Sequence, residues 1–261
     1  MRLSYVTANL IGQPSGWSGE DDWGALDEKM VAQTTPESFR QVCRSVRAMG
    51  FEGIEVYTGH CSYISHGLDH AEAIRRVCED EGLTVVGYAG GFGFPEGTRD
   101  DWQRTFSMCR ALGAPLMTGG IAGEWDSAAD MLREEGLVIA YENHPEKTAD
   151  EILEKIGSRG DVIKVGLDTG NITSQGGDAL EAAVRLYDRI AHVHLKDVRE
   201  VSGHSTLALG RGVAKVREVV MHLIERDYDG WASIEHEPFE RSPDTEVAES
   251  LETVRKWSVC G

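Results

Sequence analysis

The sequence predicts an α/β fold, a single-domain (β/α)8 TIM barrel, and three observations favour it. Strand-like and helical segments alternate eight times along the chain. The length of 261 residues is close to the roughly 250 residues typical of this barrel. Four residues that can bind a metal ion each end one strand-like segment, and a parallel barrel gathers the ends of its strands around one active site. Because no linker-like stretch divides residues 1–261, we expect one domain.

Eight short segments have the composition typical of strands. They are LSYVTAN (3–9), GIEVY (53–57), LTVVGYA (83–89), APLMTG (114–119), LVIAYE (137–142), VIKVGLD (162–168), IAHVHL (190–195) and WASIE (231–235). Helices are predicted between and after them at 36–49, 68–81, 98–112, 125–135, 148–157, 178–188, 214–227 and 243–257. Such alternation indicates parallel βαβ connections. An open doubly wound sheet is the alternative, but its glycine fingerprint after the first strand is missing.

The composition excludes several classes of function. The formal net charge is −18 at pH 7, and no cluster of Lys and Arg offers the phosphate contacts of a nucleic-acid-binding protein. No apolar stretch reaches the roughly 20 residues of a membrane-spanning helix, and the start of the chain lacks the features of a signal peptide. The five scattered cysteines indicate reduced thiols. We therefore expect a cytoplasmic protein with a small-molecule substrate and no nucleic-acid or membrane partner, and leave a homo-oligomer open.

The residues at the strand ends predict a metal site. Carboxylate oxygens suit Mn²⁺ and Mg²⁺, and an imidazole nitrogen also suits Co²⁺ and Zn²⁺. Taken singly, each residue could equally cap a helix or form an ion pair, but together they indicate one divalent metal ion. The predicted ligands are Glu142, Asp168, His194 and Glu235. Residues two apart share a face of a strand. The residues expected on the same strand face as the predicted ligands are therefore Ala140, Gly166, His192 and Ser233.

Four motifs resemble the xylose-isomerase-like TIM barrel superfamily of metal-dependent sugar isomerases and epimerases. They are ENHPE (142–146), GLDTGN (166–171), HVHLKD (192–197) and YDGWASIEHEPF (228–239). The resemblance is closest to ketose 3-epimerases, hydroxypyruvate isomerases and inosose dehydratases. It implies that the four strand-end residues hold one divalent ion and that the substrate is sugar-like.

These residue types fit proton transfer at a carbon beside a carbonyl group. Loss of that proton leaves an enediolate, whose charge a metal ion bound to the substrate oxygens would stabilise. Two carboxylates can then act as base and acid, and we assign these catalytic roles to Glu142 and Glu235. The sequence therefore predicts a divalent-metal-dependent isomerase or epimerase of a ketose, a hydroxy-keto acid or a related sugar.

Five further residues are predicted to contact the substrate. His144 and Lys196 each follow a predicted metal ligand by two residues, so they are expected to face the same mouth of the barrel. Asn171 stands where related epimerases often carry a histidine. Arg199 lies close to the place where those enzymes have an arginine, and His60 follows the second strand. Each of the five could equally be a solvated loop residue.

The segment from about residue 10 to 35 is long for a βα loop, where roughly 2–6 residues are usual. It predicts a lid or a short extra helix. Aromatic residues follow several of the first strands, at Trp17, Trp23, Tyr57, Phe92, Phe94 and Trp125. Because aromatic faces pack well on the C–H faces of sugars, one or two of them are expected to form a wall of the substrate pocket.

Three other functions remain open from the sequence. A dehydratase acting on an inosose or keto-sugar would use the same ligands and the same first proton abstraction. An endonuclease-IV-like nuclease is disfavoured by the acidic charge and by the segment REVSGHSTLALGRG (199–212), which lacks the Asp-x-His pair that those three-zinc enzymes have after strand seven. A non-catalytic sugar- or metal-binding module is disfavoured because binding alone requires no pair of carboxylates as base and acid.

Overall fold

Eight parallel strands close into a barrel in the computed structural model, which describes residues 1–93 and 99–260. The barrel strands are β1 (Arg2–Val6), β2 (Gly53–Tyr57), β3 (Thr84–Phe92), β4 (Met117–Ile121), β5 (Ile139–Glu142), β6 (Ile163–Asp168), β7 (Ile190–Leu195) and β10 (Trp231–Ile234). They follow one another in chain order, and β1 pairs with β10 to close the barrel. A small antiparallel hairpin, β8 (Asp197–Val198) and β9 (Thr206–Leu207), lies after β7. The predicted (β/α)8 barrel is confirmed.

Helices cover the outside of the barrel. They are α1 (Trp23–Gln33), α2 (Pro36–Met49), α3 (Leu68–Asp80), α4 (Arg99–Leu112), α5 (Trp125–Glu135), α6 (Ala149–Ile156), α7 (Thr169–Ser174), α8 (Ala179–Leu186), α9 (Val216–Glu225) and α10 (Asp244–Cys260). The segment from about 10 to 35, for which a lid or a short extra helix is predicted, contains the extra helix α1. Residue 98, where the fourth helix is predicted to begin, and Phe94 lie outside the described residues.

Local signals explain the helix that the sequence predicts best. Helix α2 begins with a capping box, in which the Thr35 hydroxyl accepts from the backbone of Ser38 and the Ser38 hydroxyl accepts from the backbone of Thr35. Pro36 occupies the first turn, where its missing N–H has no helical partner to lose. Gly50 ends the helix at a φ of 100°, a left-handed conformation that favours glycine. The predicted bounds, 36–49, are therefore those observed.

The first strand is shorter than predicted because the chain turns into the mouth of the barrel. β1 ends at Val6, and a 3-10 turn follows at Thr7–Leu10. Within this turn, the Asn9 side chain donates to the Ile234 carbonyl at 3.0 Å and accepts from the His236 backbone N–H at 2.8 Å. These two hydrogen bonds tie the end of β1 to the end of β10, so extended backbone is not continued through residue 9.

The barrel separates apolar from polar side chains. Side chains on the helix-facing side are buried and apolar, among them Ile54, Val165, Leu167, Val193 and Ile234. The barrel interior instead carries a buried polar layer, made of Ser4, Glu55, Thr118, His192 and Ser233. The predicted inward positions of His192 and Ser233 are thereby confirmed. Cys43, Cys61, Cys78 and Cys109 are free thiols, and no helix in the described part of the chain has the length and apolar character of a membrane span.

One buried carboxylate holds the loop between β7 and α9. Asp197 accepts hydrogen bonds from the backbone N–H groups of Val198 at 3.0 Å, Gly210 at 2.9 Å, Gly212 at 2.9 Å and Ala214 at 3.1 Å. Hydrogen bonds to a charged acceptor are stronger than neutral ones. Asp197 therefore fixes the loop that follows β7, and its role is structural.

We expect Asp197→Ala to lower the free energy of unfolding by about 3 kcal/mol, because buried N–H groups lose their acceptor. Urea denaturation would measure the change. Asp188→Ala is the matched control, since Asp188 is 90% exposed in a 3.6 Å ion pair, and it should change stability by less than about 0.5 kcal/mol. Equal stability of Asp197→Ala and the wild type would show that these hydrogen bonds do not stabilise the loop.

Candidate functional site

The C-terminal mouth of the barrel brings the four predicted metal ligands together. Glu142 ends β5, Asp168 ends β6, His194 lies in β7, and Glu235 directly follows β10. Asp168 and His194 are opposite each other in the β6–β7 ladder. One ligand atom of each residue lies within 4.8 Å of those of the other three, and all four residues are buried. The four positions converge because parallel strands of a barrel end at one rim.

His194 presents one ring nitrogen to the carboxylates. Its Nδ1 lies 2.9 Å from Glu235 Oε2 and 3.4 Å from Glu142 Oε1. Even so, His194 Nδ1 and Glu235 Oε2 are buried without a hydrogen-bond partner among the described residues. Buried polar atoms are nearly always satisfied. A cation between these atoms would satisfy both.

Lys196 is buried among three carboxylates. Its Nζ lies 2.9 Å from Glu235 Oε1, 2.8 Å from Glu237 Oε2 and 3.5 Å from Asp168 Oδ2. Burial acts to lower the pKa of Lys196, but these carboxylates outweigh it and raise the pKa well above its usual value. Gly170 makes room for the lysine stem, since a Cβ there would lie 2.6 Å from Lys196 Cγ. Lys196 is therefore a positive charge beside the four candidate metal ligands.

Negative charge is in excess at the mouth. Burial, together with the nearby Glu235 and Glu142, raises the pKa of Asp168 to about 7 against the lowering effect of Lys196. Burial acts to lower the pKa of His194, but Glu55, Glu235 and Glu142 raise it well above its ordinary value. Carboxylates this close together repel one another unless positive charge is present. A divalent cation would supply that charge.

The donor set fits such a cation. Three carboxylates and one imidazole are hard-to-intermediate ligands, suited to Mn²⁺, Mg²⁺, Co²⁺ or Zn²⁺. Asp168 also has a structural task, because its Oδ1 accepts from the Asn171 backbone N–H at 2.8 Å and caps α7. Its Oδ2 remains directed toward Lys196. The cluster could hold one divalent ion, with Glu142, Asp168, His194 and Glu235 as its ligands.

A cavity of about 710 Å³ opens onto this cluster. Ligand pockets typically enclose about 300–1,000 Å³, so a sugar-sized molecule fits. Trp23 and Tyr57 form part of the wall, and the Trp23 indole N–H donates to the Tyr57 hydroxyl at 3.0 Å. Trp23 is the first residue of helix α1, and its position in the cavity wall agrees with the prediction that one or two aromatic residues line the pocket. Trp125 instead packs edge-on against Tyr141, with ring centroids 4.7 Å apart.

Three of the five predicted substrate contacts line this cavity. They are His144, Lys196 and Asn171. The Asn171 side-chain amide donates to Glu142 Oε1 at 3.2 Å, and His144 Nε2 lies 4.0 Å from the same oxygen. Asn171 thus holds Glu142 and also reaches the cavity.

The structure does not support the other two contacts. His60 is 4% exposed and lines a separate cavity of about 260 Å³, where it bonds to Thr34 at 3.1 Å and packs on Phe39. Thr34 caps the end of α1 and Phe39 lies in α2, so His60 faces the helix layer. Arg199 is exposed and does not line the cavity of the metal cluster, because the hairpin of β8 and β9 carries it outward.

Two acidic residues near the cluster were missed by the sequence reasoning. Glu237 lines the cavity and pairs with Lys196, and its position two residues after Glu235 is a signal that strand phase could have given. Burial and the neighbouring Glu235 raise the pKa of Glu237 well above its usual value. Glu55 lies deeper, inside β2, and contacts His194. An acidic residue within the short apolar strand GIEVY was its only signal.

The fold and the rim cluster describe a barrel with a candidate divalent-metal centre. The chain belongs to the xylose isomerase-like TIM barrel family, whose family model matches residues 43–257. An inosose dehydratase of Lacticaseibacillus casei is 28% identical over 165 residues, which cover 55% of this chain and 49% of that protein. The chain therefore spans about half the length of the curated relatives that it matches first.

Solved structures show the same fold. The probable 3-DHS dehydratase AsbF of Bacillus anthracis superposes with a TM-score of 0.73 at 16% identity, covering 98% of this chain and 99% of that chain. A D-psicose 3-epimerase of Clostridium cellulolyticum H10 gives a TM-score of 0.68 at 14% identity and covers 99% of both chains. At these identities the likeness concerns the fold alone, so function has to be argued from the site.

We expect Asp168→Asn to weaken Mn²⁺ binding by at least about 10–100-fold, because even the loss of an outer partner of a metal ligand has an effect of this size. The asparagine oxygen can still cap α7, so folding should be retained. Equilibrium dialysis with metal analysis would measure the affinity. Asp161→Asn is the control, since Asp161 is exposed and pairs with Arg133. Unchanged Mn²⁺ affinity in Asp168→Asn would contradict the assignment.

Proposed function

We propose that this protein is a divalent-metal-dependent isomerase or epimerase of a ketose, a hydroxy-keto acid or a related sugar. One observation carries the proposal. Two carboxylates, Glu142 and Glu235, lie next to the same free nitrogen of His194 at the base of a sugar-sized cavity. A site that only bound a sugar would not need two buried carboxylates beside one imidazole. Proton transfer next to a carbonyl group needs a base and an acid, and these two carboxylates can provide them.

The residues at the rim divide the work of such a reaction. Glu142, Asp168, His194 and Glu235 would hold the cation. When bound, the cation would polarise the substrate carbonyl and stabilise the charge of an enediolate. Glu142 and Glu235 would remove a proton from the carbon beside the carbonyl. In an isomerisation they would return a proton to the former carbonyl carbon while the hydroxyl proton moves from one substrate oxygen to the other, and in an epimerisation they would return it to the same carbon from its other face.

Other side chains prepare these two carboxylates. Asn171 donates to Glu142 Oε1 and Lys196 donates to Glu235 Oε1, so one oxygen of each carboxylate is fixed by a neighbour. Fixed geometry is a large part of catalysis, because the reacting groups need not be ordered at the moment of reaction. Trp23 and Tyr57 cover part of the cavity and would exclude water from the enediolate.

Dehydration of an inosose or keto-sugar is a second candidate. It would begin with the same proton abstraction, but a neighbouring hydroxyl would then leave as water and need a proton from a donor. Glu237 lies in the cavity wall, 2.8 Å from Lys196, and its carboxyl group, when protonated, could supply that proton. The inosose dehydratase from Lacticaseibacillus casei noted above favours the same outcome.

Incubation with Mn²⁺ in D₂O tests both candidates. The panel would include ketoses, hydroxypyruvate and inososes, with products followed by NMR and mass spectrometry. Deuterium at a substrate carbon in a product of unchanged composition would support isomerisation or epimerisation, whereas loss of one water from the substrate would support dehydration. A protein that binds Mn²⁺ but gives neither exchange nor water loss with any compound would contradict both.

We expect Glu142→Gln and Glu235→Gln each to lower turnover by about 10²–10⁴-fold at saturating Mn²⁺, because an amide cannot act as a base or acid. The amide oxygen can remain a metal ligand, and Mn²⁺ affinity measured in parallel would separate loss of metal from loss of proton transfer. Glu154→Gln, an exposed position on α6, is the control. Near-normal turnover in both site variants would overturn the roles assigned to these carboxylates.

A further inference from the structure

A carboxylate lies beneath the candidate metal centre, inside the barrel. Glu55 is the central residue of β2 and is fully buried. A buried carboxylate is destabilising by several kcal/mol unless hydrogen bonds and positive charge compensate it. Gly87 on β3 leaves space for it, since a Cβ there would lie 3.3 Å from Glu55 Cγ. Burial of a carboxylate at this position therefore requires hydrogen-bond donors or positive charge around it.

Donors from three other strands surround this carboxylate. Oε2 of Glu55 accepts from Ser233 Oγ at 2.5 Å and lies 3.0 Å from His192 Nε2. Thr118 Oγ1 donates to Oε1. His194 Nε2 lies 3.1 Å from Oε2 and 3.2 Å from Oε1. Both oxygens of Glu55 are therefore occupied as acceptors.

This arrangement decides which nitrogen of His194 is available to a metal. An ionised carboxylate can only accept hydrogen bonds, so His194 Nε2, which faces both oxygens of Glu55, carries a proton. The other nitrogen, Nδ1, faces Glu235 and Glu142 without a hydrogen-bond partner in the described chain. Metal-ligating histidines commonly donate their second ring N–H to a carboxylate, which fixes the tautomer and the ring orientation.

We infer that Glu55 is a positioning residue, which orients His194 and reserves its Nδ1 for the divalent ion. The inference rests on the metal site of the proposed function and extends it to a strand on the far side of the barrel. Glu55 itself touches neither the cavity nor the other three ligands: the lining of the cavity does not include it. Its effect reaches the metal through His194.

The deeper cluster is a hydrogen-bonded support and not a second metal site. Glu55, His192 and His194 are close enough to hold an ion. However, hydroxyl donors from Thr118 and Ser233 already occupy the Glu55 oxygens. The two Nε2 atoms that face Glu55 serve as donors, so they offer no lone pair. One bound ion per chain follows from this arrangement, and two ions would overturn it.

The variant Glu55→Gln tests the inference directly. A glutamine amide would place a donor against His194 Nε2 or a hydroxyl, so the ring would no longer be held with its proton on Nε2. We expect Mn²⁺ affinity, measured by isothermal titration calorimetry, to fall by about 10–100-fold, the usual effect of removing such a partner. Glu146→Gln is the matched control, a buried carboxylate that accepts from Tyr141 at 2.9 Å, and should bind Mn²⁺ like the wild type.

A spectroscopic measurement on the wild type keeps the test independent of how the variant folds. Protein labelled with ¹⁵N-histidine and loaded with diamagnetic Zn²⁺ should show His194 protonated at Nε2 and metal-bound at Nδ1 in long-range ¹H–¹⁵N spectra, assigned with His194→Gln. A metal bound through Nε2 would overturn the inference, as would a Glu55→Gln protein with unchanged Mn²⁺ affinity. Absence of metal binding by the wild type would instead refute the proposed function.

Discussion

The crowding of three buried carboxylates around one imidazole nitrogen is the constraint on which the rest of the site depends. Ligand atoms of Glu142, Asp168, Glu235 and His194 lie within 4.8 Å of one another, and charges of one sign this close are unfavourable in a buried place. The ammonium of Lys196 provides part of the compensation. The remainder is what a divalent cation would bring, and this is why a metal site explains the cluster better than a set of ion pairs does.

The barrel stabilises this crowded arrangement because each candidate ligand is held by its own strand and by a separate neighbour. Asp168 caps α7 with one oxygen, Asn171 holds Glu142, and Lys196 holds Glu235. On the inner side, the ring of His194 contacts the Glu55 carboxylate of β2. Parallel strands that end at one rim bring such groups together.

The sequence predicted what local periodicity can encode. The ends of strands five to eight could be predicted because each apolar segment ends at a residue that can bind a metal ion. Helix α2 could be predicted from its proline, its capping box and the glycine that follows it. Glu55 was not, because its hydroxyl partners Thr118 and Ser233 lie 63 and 178 residues away, and an isolated acidic residue in a strand gives no pattern. The position of His60, which lines a separate cavity, could not be predicted for a similar reason: its strand was predicted correctly, but the turn after that strand sets which layer the side chain enters.

We propose that one divalent ion is bound at the rim through Nδ1 of His194. Diffraction from crystals grown with Mn²⁺, recorded to give the anomalous signal of manganese, tests it most directly. We expect one anomalous peak per chain, in contact with Glu142, Asp168, His194 Nδ1 and Glu235. A protein saturated with Mn²⁺ that showed no peak at these four residues, or a peak between Glu55 and His192 instead, would contradict it.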